Sequence, residues 1–113
     1  MRLEGKVALI SGAANGMGAD EARLFAVEGA QVVIGDILEE PGKKLEAEIE
    51  ESGGQALFVR LDVTVESDWV YAVATTISKF GKLDILVNNA GVSSRSVDDP
   101  NSLENWDRIM NIN

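Results

Sequence analysis

Neither cysteine nor histidine occurs in the 113 residues of this chain. The first absence removes disulfides, thiolate nucleophiles and zinc ribbons together. The second removes serine–histidine and cysteine–histidine catalysis within the chain, and any imidazole-ligated metal, so no metal site is expected. No apolar run approaches the ~18 residues that a membrane span needs, and the N-terminus lacks the basic-then-apolar order of a secretory signal. The expectation is a cytoplasmic protein with no membrane partner. Basic residues are also scarce, 10 Lys and Arg against 19 Asp and Glu, for a formal net charge of −9. They are scattered as well, which leaves no electrostatic footprint for nucleic acid. The acidic excess gathers at Glu39, Glu40, Glu46, Glu48, Glu50 and Glu51, and reads as a solvated helix face. The length suits one domain with one core.

What is present is organised around Val7 to Gly18. An aliphatic run, Val7 to Ile10, breaks at Ser11 into glycines at 12, 16 and 18 and then into a helical pattern. Such a run suits a strand buried on both faces. Glycine permits positive φ and close approach of a phosphate, while the helix that follows offers unpaired N–H groups and the positive end of a dipole. Strand, loop and helix together make a phosphate cradle, with Gly12, Asn15, Gly16, Met17 and Gly18 as its residues.

The chain then alternates regularly. Ala19 to Gly29 carries Ala22, Phe25 and Ala26 at helical spacing, and Gln31 to Ile34 is a second buried strand ending in Gly35 and Asp36. Leu38 to Ser52 is a helix with Leu45 and Ile49 on its inner face. Ala56 to Leu61 is a third strand, closed by Asp62 and Val63. Thr64 is placed as the N-cap of a helix running to about Phe80, whose apolar stripe reads Val70, Val73, Ile77 and Phe80. Tyr71, the only tyrosine, reads as packing. Leu83 to Val87 is a fourth strand and opens into Asn88-Asn89-Ala90-Gly91. A polar loop over 92–101 and a helix from Ser102, holding Leu103, Trp106, Ile109 and Met110, complete the pattern. Strands and helices in alternation imply a parallel sheet covered on both faces. Right-handed crossovers favour a doubly wound α/β sheet with strands in the order 3-2-1-4, which brings the glycine loop, Asp36, Asp62 and Asn88 to Gly91 to one edge.

Each of those positions has a chemistry. Asp36, eighteen residues after Gly18, is placed to accept from both ribose hydroxyls of an adenosine. A 2′-phosphate there would meet a like charge, at a cost on the order of several kcal/mol for an effective dielectric of about 20. Asn15 and Ile37 supply no compensating cation, which favours NAD over NADP; the plain alternative is that Asp36 merely caps the next turn. Asp62 can accept from the adenine amino group while Val63 covers the ring, although aspartate before threonine is also a common strand-to-helix cap. Two amides, Asn88 and Asn89, directly after a buried strand must find partners, and the Ala90-Gly91 step leaves room for a ribose or ring to pass over the backbone.

These motifs, taken in order, resemble the short-chain dehydrogenase/reductase family over the whole chain. Ser11 to Gly18 is similar to its T-G-x-x-x-G-x-G loop, with serine for the threonine. Asp36 matches its acidic residue after strand two, Asp62-Val63 its adenine-contacting pair, and Asn88 to Gly91 its N-N-A-G. The resemblance implies a Rossmann-like sheet of which these four strands are part. It also implies a nicotinamide cofactor, which Asp36 narrows to NAD, hydride transfer between an alcohol and a ketone, and a homo-oligomer, tetramer or dimer. Asn113 matches the asparagine of the catalytic tetrad, which holds a water in the proton relay. The family's catalytic serine and its Tyr-x-x-x-Lys pair have no counterpart in position. Strand four would also be an unpaired apolar edge, and the last helix stops in mid-pattern. The chain is therefore expected to be the N-terminal portion of a longer NAD-binding domain, inactive alone.

Two other readings share the architecture. A methyltransferase would use D/E-x-G-x-G-x-G, but Ile10 and Ser11 stand where its acid belongs. A non-catalytic nucleotide sensor would keep the cofactor half and lack the tyrosine. Ser93, Ser94 and Arg95 follow the nicotinamide end and could line a substrate mouth; the substrate itself is not legible.

Overall fold

The computed structural model describes residues 2–89. Four strands, β1 (Val7–Ser11), β2 (Gln31–Asp36), β3 (Gln55–Arg60) and β4 (Ile85–Asn88), alternate with three helices, α1 (Gly16–Val27), α2 (Glu39–Glu51) and α3 (Glu66–Phe80). All pairings are parallel, in the order β3-β2-β1-β4. The expected doubly wound sheet is therefore the observed one.

Alternation along the central strands builds the two layers. Ala8, Ile10, Val32 and Ile34 pack with Ala19 and Ala22 of α1 and with Leu45 and Ile49 of α2. Leu9, Val33, Val59 and Leu86 pack on the other side with Ala72 of α3. With both faces covered, β1 has no exposed residue, which is why its sequence is a continuous apolar run.

The register sets the site. Ser11 pairs with Gly35 on one side and Asn88 on the other, and Asp36 pairs with Arg60. Strand ends that carry the motifs thus finish nearly level.

Several expectations shift. Glu46 leaves the solvated acidic face: its Oε2 accepts the Phe58 N–H at 2.7 Å, covering a backbone donor of β3. Thr64 is not an N-cap, because α3 begins at Glu66 behind an extended Val65; its N–H and hydroxyl instead fold back on Asp62. The stripe of α3 is turned as well. Val70 and Ile77 are exposed, whereas Ala72 and Thr76 are fully buried, with Trp69, Val73 and Phe80 beside them. Tyr71 is not packed in the core, being 62% exposed. Among the described residues, no helix is long and apolar enough to cross a membrane. The loop expected over 92–101 and the helix from Ser102 lie outside those residues.

Candidate functional site

At the carboxyl edge of the sheet, Ser11 is completely buried and its hydroxyl donates to Asn88 Oδ1 at 2.6 Å. That bond locks the ends of β1 and β4 together just where the glycine loop departs. Gly12 and Gly16 take positive φ, 65° and 64°, a conformation that costs an ordinary residue energy. A Cβ on Gly16 would meet only open space, whereas one on Gly18 would lie 2.1 Å from the Gly12 carbonyl oxygen. Gly18 is thus needed for α1 to close on the loop, and Gly16 for the positive φ that turns the chain.

The start of α1 is electrostatically bare. Its N-cap, Asn15, is extended and makes no side-chain cap, and no acid stands in the first turn. By contrast, α2 opens with Glu39 and Glu40 and α3 with Glu66 and Asp68. Acids there neutralise the positive helix end, and α1 alone among the described helices has none in its first turn. Asn15 and Met17 are exposed beside it, Met17 at 72%.

Asp36 ends β2, nearly buried. Its Oδ1 accepts the Leu38 N–H and its Oδ2 the Ala14 N–H, each at 3.0 Å. The side chain thus closes its own turn and also reaches into the glycine loop.

Beyond β3, Asp62 Oδ1 accepts from the Thr64 N–H at 2.9 Å and the Thr64 hydroxyl at 2.6 Å. The hydroxyl first, then the N–H, and last the charge of Arg60, hold this carboxyl below its ordinary value against the opposing effect of desolvation. The turn is braced from α3: Asp68 Oδ2 accepts the Asp62 N–H at 2.9 Å, and the Trp69 indole N–H donates to the Val63 carbonyl at 3.0 Å. Past β4, Asn89 donates through Nδ2 to Glu21 Oε1 at 2.7 Å and to the Ser11 carbonyl at 3.3 Å.

The structure thus gathers Gly12, Asn15, Gly16, Met17, Gly18, Asp36, Asp62, Val63 and Asn89 along one edge. Ala90, Gly91 and Asn113 lie outside the described residues. Sequence reading missed the bracing residues Glu21, Asp68 and Trp69. An acid in the first turn of α3 was a usable signal for Asp68, whereas nothing local marks Glu21. Among the described residues no group of three acidic side chains is arranged to hold a metal ion.

Comparison with known proteins decides the family. The model of the short chain dehydrogenase family matches residues 6–113. The chain belongs to this family. It is 48% identical over 112 residues to the 2,5-dichloro-2,5-cyclohexadiene-1,4-diol dehydrogenase of Sphingobium indicum, covering 99% of this chain and 45% of that protein. To the 3-alpha-(or 20-beta)-hydroxysteroid dehydrogenase of Mycobacterium tuberculosis it is 47% identical, over 99% of this chain and 42% of the relative. Among solved structures, a 7 alpha-hydroxysteroid dehydrogenase complexed with NADH and 7-oxo glycochenodeoxycholic acid superposes with a TM-score of 0.76 at 45% identity. That match covers 78% of this chain and 34% of the other. The chain thus spans less than half the length of these relatives.

Proposed function

We propose that the protein is an NAD-dependent oxidoreductase that interconverts a secondary alcohol and a ketone, and that the described residues bind the cofactor. The observation that carries this reading is the bare, positive start of α1 beside Asp36: an anion site and a hydroxyl acceptor at one sheet edge. The loop Gly12 to Gly18, with Asn15 and Met17, holds the pyrophosphate against α1. Asp36 accepts from the adenosine ribose, which selects NAD over NADP. Asp62 and Val63 hold the adenine, the carboxylate kept ionised by Thr64. Asn89, with Ala90 and Gly91, supports the nicotinamide half, and Asn113 holds a water of the proton relay. The bound nicotinamide supplies a C4 that takes up or gives the hydride of the carbinol carbon. The relatives named for a cyclohexadienediol and a hydroxysteroid support a secondary alcohol on a carbocyclic compound as substrate. A homo-oligomer, tetramer or dimer, is the assembly we propose for the full-length protein.

The test is titration of the full-length protein with NADH and with NADPH, read through energy transfer from its tryptophans, of which Trp69 is hydrogen-bonded to the Val63 carbonyl. NADH is expected to bind at least about tenfold more tightly, a difference of ~1.4 kcal/mol. Equal or tighter binding of NADPH would overturn the assignment of Asp36; binding of S-adenosylmethionine in place of both would overturn the dehydrogenase reading.

A further inference from the structure

Asp36 is engaged by more of the chain than a ribose contact requires. Its Oδ2 accepts the N–H of Ala14, which lies between Gly12 and Gly16 and is itself buried. One residue earlier, the Ala13 N–H donates to the Gly35 carbonyl at 3.3 Å. A backbone bond and then a side-chain bond thus carry the pairing of β1 with β2 three residues past Ser11, to Ala14. The carboxylate's other oxygen is anchored on the Leu38 N–H, which fixes its direction.

We propose that Asp36 is a positioning residue for the glycine loop, its carboxylate fixing Ala14 and thereby the course of the chain from Gly12 to Gly16. The fixing needs no ligand; its effect on affinity rests on the nucleotide reading above. Each carboxylate oxygen has a second lone pair, so Asp36 holds the loop and still accepts from ribose hydroxyls. Loss of the carboxylate should then weaken a dinucleotide that has no hydroxyls for Asp36 to bind.

Two measurements on the full-length protein test this. In amide hydrogen exchange without cofactor, the Ala14 N–H should be protected in the wild type and exchange about tenfold faster in Asp36→Ala, as expected for a lost hydrogen bond to a charged group. Leu9 and Val33, in the core, should stay protected and so report a folded variant. An Ala14 amide that is unprotected in the wild type, or equally protected in the variant, overturns the proposal. The wild-type measurement decides by itself if the variant does not fold. In the second measurement, an NADH analogue lacking the adenosine 2′- and 3′-hydroxyls should bind Asp36→Ala roughly tenfold more weakly than the wild type. Equal affinity would reduce Asp36 to a ribose contact and overturn the positioning role. Failure of the wild type to bind NADH at all would sink the nucleotide reading instead, and the exchange result would then decide the role of Asp36.

Discussion

Ser11 and Asn88 show how much one buried hydroxyl holds together at this edge. Ser11→Ala removes the donor from the Asn88 amide oxygen in a site with no exposed serine surface. The expected loss is ~1–3 kcal/mol by urea denaturation, with most of it recovered in Ser11→Thr, which keeps the hydroxyl. Asp84 works similarly at the opposite end of β1, its Oδ2 accepting the Val7 N–H at 2.9 Å and pairing with Lys82 at 3.2 Å. The Val7 N–H above all, then Lys82, holds this carboxyl below its ordinary value. A depressed pKa in the folded state stabilises it above the unfolded aspartate value and ceases to do so as pH falls through the folded value. Asp84→Asn should therefore lower the urea midpoint at pH 7, with the deficit shrinking as the pH drops below about 4. A deficit independent of pH would contradict the role of its charge. Asp36 was legible in the sequence because its distance from the glycine loop is set by one helix and one strand. Asp84 was not, because it fell inside the run read as strand four, Leu83 to Val87, whereas β4 starts at Ile85, and nothing local points to a partner 77 residues away.

At the scale of elements, α3 was the least legible part of the described chain. Hydrophobicity ranks Val70 and Ile77 above Ala72 and Thr76, and the larger pair was expected inward. The sheet selects by size instead. Small side chains let the helix lie close to Leu9, Val33 and Leu86, and the Thr76 hydroxyl is satisfied within the helix by the Ala72 carbonyl at 2.8 Å. Ala72→Leu should accordingly overpack the interface and cost ~1–3 kcal/mol in a denaturation experiment. Stability unchanged by that substitution would mean that the helix is not seated as described. The strands were read more readily: β1 and β2 lie where their continuous aliphatic runs placed them, since burial on both faces leaves no ambiguity about which residues are apolar. Their pairing partners came from handedness and connectivity, not from any local signal.

For the molecule as a whole, parallel register is what converts four separate motifs into one site. Ser11, Gly35 and Asn88 are paired across three strands, so the glycine loop, the Asp36 turn and the Asn89 corner leave the sheet at one level. The far edge of the same sheet is also concave, with Gly29, Gln31, Gly53 and Gln55 among the residues lining a cavity of about 470 Å³. The two edges offer rival locations for a nucleotide, and only the carboxyl edge joins a bare helix start to a carboxylate. The most direct test is an amide chemical-shift map of the full-length protein titrated with NADH. The account predicts the largest shifts at Gly12 to Gly18, Asp36 to Leu38 and Asp62 to Val63, with Gly29, Gln31, Gly53 and Gln55 unmoved. Shifts concentrated at the latter four, with the glycine loop silent, would contradict it.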